Sequence, residues 1–178
     1  MLTKVINLGI RISLVVATIA IASVNTMTAD AQQETPPPIF GDMTIGQKVS
    51  PDPMTVRGMS GGSIPGKQLV GKGETPTGPC TGFFDEKPDH TLELTNKFDY
   101  LKLQVESPED TTLIIQGPGG TWCNDDFENK NPGILGEWLP GSYNIWIGSY
   151  TKDKYLPYTL RITQSSKSVT SKSDLGER

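Results

Sequence analysis

An acidic loop is the part of this chain whose residue types are best suited to chemistry. It follows Cys123 and contains three carboxylates and two amides within six residues; the candidate metal ligands are Asn124, Asp125, Asp126 and Glu128. Calcium takes about six to eight oxygen ligands from carboxylates, amides and backbone carbonyls, and a loop of this composition supplies several of them. Calcium is therefore the one cofactor for which the residues give a reason.

The same loop also has a purely structural interpretation. Counted from Asn124, no glycine stands at the sixth position and no glutamate at the twelfth, so the EF-hand spacing is absent. Asn and Asp side chains commonly bond to their own backbone in turns. The sequence favours an Asx-rich turn over a calcium site.

Aromatic side chains give a second set of candidates, because aromatic rings often anchor protein or carbohydrate ligands. Six of them fall close together in the sequence: Trp122, Trp138, Trp146, Tyr150, Tyr155 and Tyr158. We take Trp122, Trp146 and Tyr150 as candidate ligand-binding residues. Trp146 alternates with large apolar neighbours, so it points outward unless both faces of its strand are covered.

The sequence does not predict a catalytic residue. His90 is the only histidine, and no GxSxG-type nucleophile motif accompanies it. The glycine-rich segment 117–120 is not followed by a helical pattern, so a phosphate site would lack its helix N-terminus. Paired carboxylates for glycoside hydrolysis stay open, because such pairs converge in space rather than in sequence.

The N-terminus has the three parts of a secretory signal peptide. Lys4 and Arg11 form a basic head, Ile12–Val24 is an apolar run, and Ala29-Asp30-Ala31 is a small-residue cleavage signal. The apolar run is shorter than the roughly 20 residues needed to span a bilayer. We predict that residues 1–31 are a signal peptide cleaved after Ala31, with a retained anchor as the alternative.

The two cysteines and the net charge narrow the compartment and the partners. Cys80 and Cys123 both follow the signal peptide, and an even pair in an oxidising compartment predicts a disulfide. A redox or metal pair is the alternative, but it lacks a CxxC spacing. The formal net charge of −4 gives no basic surface for nucleic acid. We expect a periplasmic or extracellular protein that does not bind nucleic acid and is not integral to a membrane after cleavage.

Period-two alternation indicates the fold. In the segment 100–106, apolar residues at every second position share one face, as a half-buried strand requires. Similar strands are predicted at 90–94, 111–116 and 142–149, with a last strand at 158–162 and two weaker edge strands within 54–62 and 67–73. Strands and turns without a helical pattern predict an all-β fold, an antiparallel β-sandwich.

Composition sets the predicted domain boundaries. Residues 32–53 are rich in Pro and Gly and are predicted to form a linker. The sandwich domain is predicted at 54–163. The polar tail 164–178 has too few large apolar residues to bury and is predicted to be disordered.

Three segments resemble the bacterial pre-peptidase C-terminal domain, and the resemblance covers roughly Asp89–Ile162. They are Asp110–Ile115, Gly141–Ile147 and Pro157–Leu160. The resemblance implies a jelly-roll-like sandwich, calcium in some members, and extended protein ligands in others. Thr112 stands where a second aspartate is common, the linker has few acids, and no peptidase domain precedes the segment. The chain also resembles, more loosely, stand-alone exported proteins of cyanobacteria.

These observations predict an exported, non-enzymatic binding or accessory module of the cell envelope or extracellular space. Its ligand is expected to be a protein or a polysaccharide. Two alternatives remain: a small secreted hydrolase or regulator of a secreted protease, and a structural component of the envelope.

Overall fold

The computed structural model describes residues 40–164. The predicted signal peptide, the first part of the predicted linker and all of the predicted tail except Gln164 lie outside the described residues. Within 40–164, no helix is long and apolar enough to cross a membrane.

Within this range the chain forms short strands and one helical turn. In chain order they are β1 (Asp42–Ile45), β2 (Met54–Ser60), β3 (Ile64–Pro65), α1 (Gly66–Leu69), β4 (Glu74–Thr75), β5 (Gly78–Pro79), β6 (Phe83–Phe84), β7 (His90–Leu94), β8 (Phe98–Glu106), β9 (Thr111–Gly117), β10 (Gly120–Asn124), β11 (Gly133–Trp138), β12 (Gly141–Ser149) and β13 (Leu156–Gln164).

The strands form two main sheets. One has four strands in the order β11-β8-β13-β2, all antiparallel. The larger sheet has the order β1-β7-β12-β6-β3, and β9 and β10 join it through the second half of β12. Its pairs are antiparallel except for β1 with β7, which run parallel. The predicted all-β antiparallel sandwich is confirmed.

The main core lies between the two sheets. The apolar residues predicted to face inward are buried on three long strands: Leu101, Leu103 and Val105 on β8, Tyr143, Ile145 and Ile147 on β12, and Tyr158, Leu160 and Ile162 on β13. Two polar groups within this core form hydrogen bonds to backbone carbonyls. The indole nitrogen of Trp138 donates to the Leu101 carbonyl at 2.9 Å, and the Tyr143 hydroxyl donates to the Leu139 carbonyl at 2.8 Å.

A second apolar cluster surrounds the disulfide. Cys80 and Cys123 are joined with an S–S distance of 2.07 Å, which confirms the predicted bond. Phe84, Ile114 and Trp146 pack around it, and apolar residues that follow β3 lie against the cluster. The segment between β2 and β7 therefore covers the outer face of the larger sheet. Because both faces of β12 are covered, Trp146 is buried.

Two local predictions differ from the structure. β1 lies within the segment 32–53 assigned to a linker, and its Met43 and Ile45 are buried, so the folded domain begins before residue 54. A four-residue strand between glycines is too short to show a clear period. The segment 67–73 contributes to α1 and the turn after it rather than to a strand, because its Leu69 and Val70 pack on the disulfide cluster. β2 is an edge strand, as predicted.

Candidate functional site

A groove lies on the outer face of the four-stranded sheet, and we call it the outer groove. Its floor comes from outward-facing residues of three neighbouring strands. The register aligns Arg57 of β2 with Thr159 of β13, and Thr159 with Glu106 of β8. The groove has a volume of about 650 Å³. That volume lies within the range of about 300–1,000 Å³ that is typical of ligand sites.

Two loops form the walls of the outer groove. One begins at Ser107, directly after β8, and the other spans residues 128–131. The Ser107 amide donates to the Asn131 side-chain oxygen at 3.0 Å, and its hydroxyl donates to the Pro157 carbonyl at 3.1 Å. The two walls are thus bonded to each other and to the floor.

A buried glutamine fixes the second wall to the sheet. Gln104 of β8 is only 5% exposed, and its amide nitrogen donates to a Glu128 carboxylate oxygen at 2.5 Å. The wall itself is a tight turn in which Glu128 and Asn131 exchange backbone hydrogen bonds of 3.0 and 3.1 Å. Asn129 within the turn has φ = 58°, a left-handed conformation that Asn tolerates better than most residues. The second wall is therefore held in place by its bond to Gln104 and by the backbone hydrogen bonds within its own turn.

The charged side chains of the outer groove differ in whether they belong to an ion pair. The Arg161 Nε lies 2.7 Å from a Glu106 oxygen, so Glu106 already has a cation beside it. Glu128 accepts a hydrogen bond from the neutral amide of Gln104 and belongs to none of the ion pairs among residues 40–164. Arg57 lines the groove and is exposed, and none of the ion pairs among residues 40–164 includes it. The groove thus presents a guanidinium group without a carboxylate partner.

Two of the predicted calcium ligands, Asn124 and Asp125, form hydrogen bonds to other segments of the chain. The Asn124 side-chain oxygen accepts from the Gly133 amide at 3.0 Å, and its nitrogen donates to the Thr77 carbonyl at 3.1 Å. An Asp125 oxygen accepts from the Thr81 hydroxyl at 3.0 Å. Asp126 is exposed. Residues 40–164 contain no cluster of three or more His, Cys, Asp or Glu side chains that could hold a metal ion. These hydrogen bonds tie the loop to residues distant in the sequence, so they are not the bonds to neighbouring backbone that an Asx-rich turn would make.

A further carboxylate, Asp110, lies close to this loop. Burial raises the pKa of Asp110 above its ordinary value, and the negative charges of Asp126 and Asp125 raise it further, whereas Lys130 lowers it. The two acids of the loop therefore disfavour the charged form of Asp110.

We expect calcium to leave the melting temperature unchanged, because Asn124 and Asp125 of the loop already use side-chain oxygen atoms in hydrogen bonds. The measurement is thermal unfolding in excess calcium and then in excess chelator. The variant Asp126→Asn serves as the comparison, because it removes an exposed charge without removing a hydrogen bond seen in the structure. A calcium-dependent rise in melting temperature that disappears in Asp126→Asn would instead establish a calcium site at this loop.

The three candidate aromatic residues have different surroundings. Trp146 is 6% exposed and lies in the disulfide cluster, so burial there corrects the expectation that it binds a ligand at the surface. Trp122 is half-buried and contacts the rings of Trp138 and Tyr143, with centroids 5.8 and 6.2 Å away. Tyr150 is 55% exposed. Of the three, Tyr150 offers its ring most openly to a ligand.

Tyr150 lines a second, smaller groove of about 390 Å³. This groove lies beside the disulfide, with Phe83 and Cys80 among its lining residues and Lys67 also lining it. Its surface is more apolar than that of the outer groove. It is the place where the structure leaves a predicted ligand-binding residue accessible.

His90 and its neighbour Asp89 are buried and do not line either groove. The Tyr158 hydroxyl lies 2.8 Å from His90 Nε2, which links β7 of the larger sheet to β13 of the four-stranded sheet. The Ile147 amide donates to an Asp89 oxygen at 2.6 Å. Burial raises the pKa of Asp89 to about 8, and burial lowers the pKa of His90 to about 4. Both groups favour their neutral forms and tie strands together.

Comparisons with known proteins give a sequence relative and two structural likenesses, and no family model matches the chain. An uncharacterized protein of Synechococcus elongatus is 26% identical over 103 residues, which are 56% of this chain and 76% of that protein. The pre-peptidase C-terminal domain of a Bacillus anthracis collagenase has a TM-score of 0.42 at 11% identity, covering 73% of this chain and all of that domain. Aeromonas hydrophila PliG, a periplasmic inhibitor of g-type lysozyme, has a TM-score of 0.36 at 12% identity, covering 69% and 97%.

The resemblance to the pre-peptidase C-terminal domain stays a prediction from the sequence motifs, since no family model matches the chain and the solved structure of that domain has a TM-score of 0.42. The looser resemblance to cyanobacterial proteins is matched by the Synechococcus elongatus relative. We assign no ligand from either structural likeness.

The outer groove was not predicted as a site, although one of its lining residues, Glu128, was predicted as a calcium ligand. Gln104 and Glu106 were identified only as the polar face of a strand, and Arg57 fell in a weakly predicted strand. One signal was available: Gln104 is an uncharged polar residue between the outward-facing Lys102 and Glu106, which suits partial burial by a loop. β13 pairs with both β8 and β2, which lie far from it in the sequence, and no local pattern reveals such pairing.

Proposed function

We propose that this chain is an exported, non-enzymatic binding module that holds an extended ligand in the outer groove. The observation that carries this proposal is a groove of about 650 Å³ whose walls are fixed by hydrogen bonds while one of its guanidinium groups stays without a carboxylate partner. A preformed cleft with a few convergent polar groups is the usual form of a ligand site. The ligand is a protein or polysaccharide of the cell envelope or extracellular space.

The disulfide supports export. Structural disulfides form and persist in oxidising compartments and are rare in the cytosol. The Cys80–Cys123 bond is buried in its own apolar cluster, where it joins β10 to the segment before β6. A periplasmic or extracellular location is consistent with this bond.

The state of the two carboxylates favours binding over hydrolysis in the outer groove. Glu106 and Glu128 both line it, and a pair of carboxylates is what most glycoside hydrolases use. Both already have partners, however, in Arg161 and Gln104. Acid–base catalysis needs a carboxyl group that is free to exchange a proton with the substrate. We therefore rank the small hydrolase second.

The proposal is tested by filling the groove. Thr159→Trp places a large ring in the central row of the floor, whereas Thr163→Trp places the same ring on the same face of β13 outside the groove lining. We expect Thr159→Trp to weaken ligand binding at least about tenfold, a loss of about 1.4 kcal/mol, and Thr163→Trp to leave it nearly unchanged. The probes are a panel of neutral and acidic oligosaccharides and synthetic decapeptides, followed by amide chemical shifts in NMR titrations.

The location of the shifted amides decides the outcome. Shifts concentrated at residues 104–108, 128–131 and 157–159 support the outer groove. Shifts concentrated around Tyr150 and Phe83 would transfer the function to the second groove. Equal weakening by the two Trp variants would contradict a role for the outer groove, provided that both variants melt close to the parent.

A further inference from the structure

We propose that the outer groove selects a saccharide chain that carries carboxylate groups, and that Arg57 is the residue that selects it. This inference rests on the proposed binding function and names its ligand class.

The guanidinium of Arg57 gives a ligand carboxylate a partner in the groove. A guanidinium offers five N–H donors in a planar fork that matches a carboxylate or phosphate group. Arg57 and Glu106 stand on opposite sides of Thr159 in one row of the sheet, two inter-strand spacings or roughly 10 Å apart. Glu106 instead pairs with Arg161 on the neighbouring row. A ligand carboxylate above Thr159 would therefore meet Arg57 as an unpaired cation.

The lining residues favour a saccharide over a peptide. The centres of protein interfaces are enriched in aromatic residues and methionine and depleted of charged residues. The outer groove has the opposite character: its side chains are chiefly carboxylates, amides, two aliphatic hydroxyls and a guanidinium, and its one aromatic residue, Tyr158, is 3% exposed. Sugar hydroxyl groups can donate to the carboxylate oxygens and accept from the amide of Asn129. A polyhydroxylated chain thus matches both kinds of group.

The position of Arg57 suits a selecting residue rather than a structural one. It lies on β2, the edge strand, with its side chain exposed and without an ion pair among residues 40–164. Its removal therefore breaks none of these ion pairs. Hydrogen bonds between charged partners are about twice as strong as those between neutral ones, so loss of this guanidinium should be visible in affinity.

The test compares two forms of one saccharide. The probes are an oligogalacturonide and its methyl ester of equal length, which differ in the carboxylate charge. The variants are Arg57→Gln, which retains a polar side chain but removes the charge, and Lys72→Gln as the control. Lys72 is an exposed lysine that lines neither of the two described grooves. Calorimetry on the full chain after signal removal gives Kd, and repeated titrations at increasing salt report the electrostatic part.

We expect the parent protein to bind the free acid at least about tenfold more tightly than the ester, since hydrogen bonds to charged groups contribute more than neutral ones. Arg57→Gln should remove most of this preference and leave ester binding nearly unchanged, whereas Lys72→Gln should retain it. Equal affinity for acid and ester, or equal losses in the two variants, would overturn the inference while binding in the groove still stands.

Two further results separate the inference from the function it rests on. Tighter binding of an acidic decapeptide than of the oligogalacturonide, with loss in Arg57→Gln, would overturn the saccharide assignment. Absence of any shift at 104–108, 128–131 and 157–159 with every saccharide and peptide would overturn both the inference and the proposed function.

Discussion

Removal of the Cys80–Cys123 disulfide should lower the free energy of unfolding by about 4 kcal/mol. The two cysteines are 43 positions apart, and the bond restricts the unfolded chain by closing that long loop. A typical domain has a total stability of about 5–15 kcal/mol, so this loss is a large share of it. We expect the variant Cys80→Ala/Cys123→Ala to unfold at a much lower urea concentration than the parent.

Removal of the disulfide should also weaken ligand binding in the outer groove. Cys123 lies on β10, and the next residue, Asn124, bonds to both Thr77 and Gly133. Loss of the bond therefore loosens the connection between the segment before β6 and the loop that leads to the groove wall. We expect weaker ligand binding in the double variant even at temperatures where it is folded.

Urea unfolding with and without reductant provides the control. Reductant should destabilise the parent by about the same amount and leave the double variant unchanged, since that variant has no thiol. A difference of less than about 1 kcal/mol between parent and variant would contradict the loop-closure argument. It would indicate that the apolar cluster around Phe84 and Trp146 holds the segment in place without the bond.

The second large effect concerns pH, and it comes from Asp89 and His90. Burial raises the folded-state pKa of Asp89 from 3.8 to about 8, and the charge of Asp85 raises it further. The folded state therefore holds a proton that the unfolded state releases, so the stability from Asp89 falls as pH rises through that window. Burial lowers the pKa of His90 from 6.5 to about 4. Its contribution is present above pH 6.5 and is lost as pH falls towards 4.

Asp89 and His90 change the free energy of unfolding in opposite directions over the pH range in which both titrate. Between about pH 4 and 6.5 one residue loses stability with rising pH while the other gains it, so the parent should be nearly level. Between 6.5 and 8 only Asp89 acts, and we expect a fall of about 2 kcal/mol. Urea unfolding across this range measures the profile.

Two variants separate the contributions. Asp89→Asn keeps an oxygen that can accept from the Ile147 amide but carries no charge, so its stability should rise between pH 4 and 6.5 and then stay level. His90→Gln should show a continuous fall from pH 4 to 8, because only Asp89 then titrates. Parallel profiles for the parent and Asp89→Asn would show that Asp89 does not titrate in this range.

The long strands could be predicted from the sequence because each carries its own period. In β8 and β12, large apolar residues alternate with polar or small ones over several positions, and burial of one face follows from that pattern. The disulfide was predictable because two cysteines in a chain predicted to be exported leave one pairing. β1 was missed because its four residues show only two apolar positions, and its parallel pairing with β7 depends on contacts about 50 residues away.

The candidate site could not be predicted, because its residues meet only through long-range pairing. Arg57, Glu106 and Asn131 come from three distant parts of the chain and are brought together by the registers of β2, β8 and β13. The acidic loop attracted notice through its composition. Its structural importance lies instead in Glu128 and Asn131, which join the groove wall to the sheet.

The central place of β13 in the four-stranded sheet bears on when the protein can fold. β13 pairs with both β8 and β2, and Met54 of β2 lies opposite Ile162, so β2 has no neighbour in its sheet until nearly all of the described chain has been made. Sheets built from such distant pairs form slowly, since long loops must close first. Newly made chains should therefore lack the complete four-stranded sheet until β13 has been synthesised. An unfolded chain is the form that can be threaded across a membrane before its sandwich closes.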